Sequence, residues 1–94
     1  MLLLPETLTL REARDTLRLL KVALEQEGDT DVIVDASALE RFDSSALAVL
    51  LECRRLAQAW GKRFAMRSLP HQLAELARVY GITELLPAAE TPAA

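Results

Sequence analysis

The sequence predicts one α/β domain, a small, mostly parallel or mixed sheet of about four strands packed against three to four helices. The first observation is an alternation of helical apolar spacing with short β-branched runs, in the order helix, strand, helix, strand, helix. This order favours parallel strands joined by helical crossovers. The second is size, because 94 residues that are 51% hydrophobic suffice for one modest core. We assign the domain to residues 1–88 and expect residues 89–94 to form a frayed tail.

The N-terminal third predicts a short strand followed by a helix. Leu2 to Leu4 favour a strand that Pro5 ends. Thr9 and Glu12 have the spacing of a capping box, which starts a helix of about five turns that ends near Gly28. Its apolar stripe consists of Leu10, Ala13, Leu17, Leu20, Ala23 and Leu24.

The central third predicts a buried strand, a polar bend and a second helix. The strand is the β-branched run 32–34, and the pattern is lost from Asp35 to Phe42. Asp43, Ser44 and Ser45 offer the side-chain oxygens that cap a helix start, and Gly61 ends the helix. Its apolar positions are Ala46, Val49, Leu50, Cys53, Leu56, Ala57 and Trp60.

The last third predicts a strand over 62–67 and a third helix. Phe64 and Met66 share one side of that strand, and Pro70 stands near the first position of the helix. The inner face of the helix is predicted to be Leu73, Leu76, Ala77 and Tyr80. Residues 82–86 fit either a further helical turn or a short edge strand.

Charge and composition exclude several classes of function. A net charge of −3 and a pI near 5.1 argue against nucleic-acid binding, which needs clustered Lys and Arg. The four residues before Pro5 are too few for a signal peptide, and no apolar run approaches the length of a membrane span. We therefore expect a cytoplasmic protein that meets a membrane only through a partner.

Two residue groups have an ordinary structural interpretation. Cys53 lies on the apolar face of its helix, so we expect it to pack rather than to react. The acidic cluster around the end of the first helix fits a solvated loop better than a cation site, because no further ligand spacing accompanies it. Its members are Glu25, Glu27, Asp29 and Asp31. No metal and no cofactor are expected.

The order of elements resembles the STAS domain, a family named for sulfate transporters and anti-sigma factor antagonists. The resemblance spans nearly the whole chain and is most specific at Asp43-Ser44-Ser45-x-Leu47, before the central helix. It implies a STAS fold and a non-enzymatic binding role. It also implies that Ser44, the first hydroxyl after that aspartate, is the phosphorylatable position. Ala46 stands where such families usually have glycine.

Two branches of this family offer two functions. Residues 73–87 resemble the ending of the small cytoplasmic STAS subunit of Mla-type ABC transporters, which binds the ATPase subunit and supports phospholipid trafficking and outer-membrane lipid asymmetry. We favour this branch. The alternative is an anti-sigma factor antagonist, which binds an anti-sigma factor serine kinase and is released when that kinase phosphorylates it.

The predicted partner-binding surface surrounds the start of the central helix. Each of its residues also has a purely structural interpretation: capping for the Asp and Ser residues, burial for the leucines and solvation for the arginines. The predicted contact residues are Asp43, Ser44, Ser45, Leu47, Leu51, Arg54 and Arg55.

An enzymatic function is not expected. Ser44, Asp43 and the only histidine, His71, contain the residue types of a hydrolase triad, but the sequence has no Gly-x-Ser-x-Gly elbow. The three glycines stand at predicted element ends and form no phosphate-binding loop.

Overall fold

Five short strands and three helices form the fold in the computed structural model, which describes residues 1–26 and 28–89. The strands are β1 (Leu2–Leu3), β2 (Thr7–Leu8), β3 (Asp31–Asp35), β4 (Arg41–Phe42) and β5 (Arg63–Arg67). The helices are α1 (Leu10–Gln26), α2 (Ser44–Ala59) and α3 (His71–Val79), followed by a 3-10 turn at Thr83–Leu85. The predicted α/β class is confirmed, and the last segment takes the helical alternative.

The main sheet is parallel and has the order β1-β3-β5. Beyond β5, Ala88 forms a parallel bridge with Met66, and the Ala89 amide donates to the Met66 carbonyl at 2.7 Å. The chain is thus paired through Ala89, where the sequence predicts a frayed tail. Residues 90–94 of that predicted tail lie outside the described residues.

A second, two-stranded parallel sheet pairs β2 with β4. It matters for the site because β4 ends at Phe42, immediately before Asp43. The amides of Glu40 and Arg41 both donate to the Glu6 carbonyl, at 2.8 and 3.0 Å. This short sheet therefore ties the entrance of α2 to the chain just before α1.

The core lies between the helices and one face of the main sheet. Alternate strand residues point into it, namely Leu2, Val32, Val34, Phe64 and Met66. The helices contribute, among others, Leu20, Leu24, Leu50, Cys53 and Leu73. Burial of this apolar surface is the main force that holds the layers together.

Three residues predicted to face the core are exposed. Trp60 is 48% exposed because α2 ends at Ala59, so Trp60 lies just beyond the last helical residue. Leu10 is 76% exposed because it begins α1 and lies about 80° around the helix from Leu20, at the margin of the buried stripe. Tyr80 is 59% exposed because α3 ends at Val79, so the helical spacing does not reach it.

Candidate functional site

Asp43 anchors the start of α2 and also reaches the start of α1. Its Oδ1 accepts a hydrogen bond from the Ser45 amide at 2.8 Å, and its backbone is extended, as expected of an N-cap. Its Oδ2 accepts from the amide of Leu10, the first residue of α1, at 3.2 Å. One carboxylate thus joins two helix starts that are 33 residues apart in the sequence.

The start of α1 is capped by its own pair of side chains. The Glu12 Oε1 accepts from the Thr9 amide at 2.9 Å and from the Thr9 hydroxyl at 2.6 Å. The predicted pairing of these residues is present, but the hydroxyl donates to the carboxylate instead of accepting from an amide. The start of α1 is therefore held both by the Thr9–Glu12 pair and by Asp43, which also caps α2.

Both carboxylates are held in the ionised form. The Ser45 amide, and after it the Leu10 amide, lower the pKa of Asp43. Hydrogen bonds from Thr9 lower the pKa of Glu12. A donated hydrogen bond favours the charged carboxylate, as does the positive end of a helix dipole. The entrance of α2 consequently carries a fixed negative charge next to Ser44 in the sequence.

Ser44 is exposed, and its hydroxyl has no hydrogen-bond partner among the described residues. Ser45 is half-buried, and its amide is used by the Asp43 cap. Ala46, at the position where related families usually have glycine, is fully buried. The hydroxyl of Ser44 is therefore the accessible polar group at this helix start.

Helical spacing places a line of residues on the solvent side of α2, which we call the α2 outer face. Positions separated by three or four residues lie on the same side of a helix. All but Leu51, which is half-buried, are exposed. The α2 outer face consists of Ser44, Ala48, Leu51, Arg55 and Gln58.

Two of these residues are absent from the sequence-based contact set. Ala48 and Gln58 carry no distinctive chemistry, and only the burial of their neighbours shows that they point outward. The helical spacing from Ser44 would have found them. Ala48 is informative because a small residue between Ser44 and Leu51 leaves space for a side chain of a partner.

The structure places Leu47 in the core, whereas the sequence predicted it to be a partner-contact residue. Only 3% of it is exposed, and it belongs to the core cluster, so its side chain is not part of the accessible surface. At about 100° per residue, Leu47 lies about 60° around the helix from Ser44, on the side of the buried Leu50. The sequence allowed either burial or partner contact for Leu47 and Leu51. Leu47 is buried, whereas Leu51 packs only partly against the core.

Arg54 and Arg55 differ in whether they form an ion pair within the described part of the chain. Arg55 makes an ion pair with Glu52, in which Nε and Nη2 both donate to the carboxylate. Arg54 is half-buried and has no ion-pair partner among the described residues. The Arg54 guanidinium is thus the more available one for an acidic group of a partner.

Cys53 is buried in the core, and desolvation raises the pKa of its thiol to about 12. Because the thiolate is the reactive form, this environment suppresses nucleophilic and redox chemistry. The prediction that Cys53 packs rather than reacts agrees with this burial.

His71 is exposed at the first position of α3 and makes no hydrogen bond to Asp43 or Ser44. Both Asp43 oxygens already accept backbone amides, as described above. The three residue types of a hydrolase triad are therefore not connected as a triad in the described structure.

The described residues offer no metal site and no spanning helix. Within 1–26 and 28–89, no three His, Cys, Asp or Glu side chains are grouped as metal ligands. Of the predicted acidic cluster, Glu27 lies outside this part of the chain. No helix in the same ranges has the length and apolar content that a bilayer crossing requires.

Comparison with known protein families shows to which family the chain belongs. The family model described as "Mlab, STAS domain" matches residues 1–87, which is nearly the whole chain. The chain belongs to this MlaB-type STAS family. The predicted resemblance to STAS domains is confirmed, and the Asp43-Ser44-Ser45 entrance to α2 falls inside the matched range.

A solved structure agrees with the STAS assignment at the level of the fold. It is described as an anti-sigma-factor antagonist (STAS) domain protein from Planctomyces limnophilus, and it superposes with a TM-score of 0.77 at 22% sequence identity. The match covers 96% of this chain and 80% of that one. Comparison with curated proteins found no match.

Proposed function

We propose that this MlaB-type STAS domain is a non-enzymatic subunit that docks on the ATPase of a phospholipid-trafficking ABC transporter. The observation that carries the proposal is the accessible α2 outer face. It begins at a helix start anchored twice by Asp43, in a chain whose family match is MlaB-type over residues 1–87. Any contact with a membrane is indirect, through the transporter.

The chemistry of this surface suits a protein partner. The Ser44 hydroxyl both donates and accepts hydrogen bonds, and Leu51 offers apolar area next to the small Ala48. Arg54, beside this face, has a guanidinium with no ion-pair partner in the described part of the chain, and arginine is enriched where interfaces recognise carboxylates. A central apolar contact with polar groups around it is the usual arrangement of a binding hot spot.

The rigidity of the helix start supports a docking role. Because Asp43 holds both α1 and α2, the position of Ser44 is fixed before a partner arrives. A preorganised surface loses less conformational entropy on binding. The subunit would act by binding one nucleotide-dependent arrangement of the ATPase more tightly than another, which shifts the population toward that arrangement.

The test is reconstitution with the ABC transporter ATPase and permease of the native host, with ATPase activity and co-purification as the readouts. Ala48→Glu adds a charged side chain at an exposed position of the α2 outer face and should weaken co-purification by about tenfold or more. Leu19→Glu on α1 is the control, because Leu19 is 70% exposed on another helix. Equal recovery of the ATPase by wild type and Ala48→Glu would refute the docking surface.

The second candidate is an anti-sigma factor antagonist, favoured by the exposed Ser44 hydroxyl next to the ionised Asp43. Phosphorylation of Ser44 by an anti-sigma factor serine kinase would add about −1.5 to −2 charges. Beside Asp43 and an acidic partner surface, this charge would release the partner. Recovery of a serine kinase and no transporter component, with loss of binding in Ser44→Glu, would support this function instead.

A further inference from the structure

The main sheet has a second face that no described element covers. Its apolar side chains are Met1, Leu3, Ile33 and Ala65; Leu3 is 70% exposed, and Ile33 and Ala65 are half-buried. Two grooves of about 410 and 380 Å³ border Ile33 on either side. We call this surface the open sheet face.

Charges on the open sheet face are separated by strand. The outward residues of β3 are Asp31, Ile33 and Asp35, and those opposite on β5 are Arg63, Ala65 and Arg67. The first pair is joined by a hydrogen bond of 2.6 Å from the Arg63 Nε to the Asp31 Oδ1. The charged residues of β3 are thus acidic and those of β5 are basic. Across the two strands, the apolar pair Ile33–Ala65 lies between the charged pairs Asp31–Arg63 and Asp35–Arg67.

This arrangement is complementary to itself. A two-fold axis parallel to the strands, between β3 and β5, places β3 of one copy over β5 of the other. Asp31 then meets Arg63, Ile33 meets Ala65 and Asp35 meets Arg67 of the second copy. An axis perpendicular to the strands would instead oppose Asp31 and Asp35, which is unfavourable.

The flanking residues extend the same match. The register of β1 places Leu3 beside Asp35, and the bridge from Ala88 to Met66 places Ala89 beside Arg67. The same two-fold axis puts Leu3 of one copy over Ala89 of the other. An apolar contact therefore flanks the Asp35–Arg67 contacts at each edge of the sheet.

From this charge pattern we propose that the open sheet face binds a second copy of this chain, in a symmetric sheet-on-sheet dimer. The interface is isologous, as is usual for two-fold dimers, and aligned sheets pack about 10 Å apart. The two five-residue strands β3 and β5, with a shorter segment on either side, cover at most about 300 Å², well below the roughly 800 Å² per partner of a standard interface. The dimer is consequently weak and forms at high local concentration.

The experiment is sedimentation of the full chain from about 10 μM to about 1 mM, the range in which so small an interface associates. Asp31→Arg places two basic side chains in the row formed by residues 31 and 63, and Arg63→Asp places two acidic side chains in that row. Each should raise the dimer dissociation constant by about tenfold or more, and an equimolar mixture of the two should associate again.

The double variant Asp31→Arg/Arg63→Asp tests the direction of the axis. It keeps the pair within each chain and should self-associate like wild type, yet it should not pair with wild type, because like charges would then face each other. Ala48→Glu on the α2 outer face should leave the dimer unchanged. This control separates the dimer from the proposed docking function.

Three results would overturn the proposal. The wild-type chain could remain monomeric up to about 1 mM, or its dimer could be insensitive to both charge reversals. A wild-type monomer that dimerises only after removal of residues 90–94 would assign the open sheet face to that segment instead. Circular dichroism confirms that each variant is folded.

Discussion

Leu47 and Leu51 make a matched pair that tests the division of α2 into an inner and an outer side. Leu47→Ala removes a side chain that is 3% exposed, and such truncations cost about 2–5 kcal/mol, because a cavity remains. Leu51 is half-buried, so Leu51→Ala should cost about 1 kcal/mol. In a domain of this size 1 kcal/mol shifts Tm by about 4–8 °C, so a loss near 3 kcal/mol in Leu47→Ala lowers Tm by about 12–24 °C.

Urea unfolding measures the two free energies, and co-purification with the ATPase at low temperature measures binding. Leu51→Ala should weaken the complex by about tenfold while it remains folded. Leu47→Ala should bind normally wherever it is folded. If Leu47→Ala were as stable as wild type, or weakened binding more than Leu51→Ala did, the assignment of Leu47 to the core side would be wrong.

Three further predictions concern the helix start, the thiol and a strained turn. The pKa of Asp43 is lowered, so its contribution to stability should be present above its ordinary pKa of about 3.9 and be lost as the pH falls through the folded value. Asp43→Asn should flatten that acidic part of the urea-unfolding profile, and its single carbonyl oxygen should leave one of the two helix starts without its acceptor. With a thiol pKa of about 12, about 10⁻⁴ of Cys53 is thiolate at pH 8, so a thiol reagent should react in proportion to the unfolded fraction in urea; a fast reaction without urea would contradict burial. Ser68 has a φ of 58°, in the left-handed region, so Ser68→Gly should raise the free energy of unfolding by about 0.5–1 kcal/mol, and a decrease would show that its side chain stabilises the turn.

The long elements could be predicted from the sequence because their patterns repeat. The apolar stripe of α1 matches the helical period at six positions, and β3 contains three consecutive β-branched residues. The two-residue strands β2 and β4 provide no such pattern, so the pairing of Thr7–Leu8 with Arg41–Phe42 was not predictable from local pattern. Their pairing depends on residues more than thirty positions away.

The candidate site was predictable in its position but not in its details. Asp43 and Ser44 indicate a helix start, because their side-chain oxygens can accept hydrogen bonds from the free amides there. The second bond of Asp43, to the Leu10 amide, depends on how α1 and α2 pack, which no spacing encodes. Leu47 was ambiguous for a related reason, since a helix that is apolar on most sides does not reveal which side is covered.

The pairing of the N-terminal strands sets an order for folding during synthesis. Leu2–Leu3 pairs with Val34–Asp35, and Thr7–Leu8 pairs with Arg41–Phe42. The segment 2–8 brings three buried leucines to the core, but Leu2–Leu3 has no strand partner until residue 35 has left the ribosome, and Thr7–Leu8 has none until residue 42 has left it. Until then this apolar segment is exposed, and contacts between distant residues are slow to form. Slow translation of residues 9–42 would lengthen that exposure and favour aggregation.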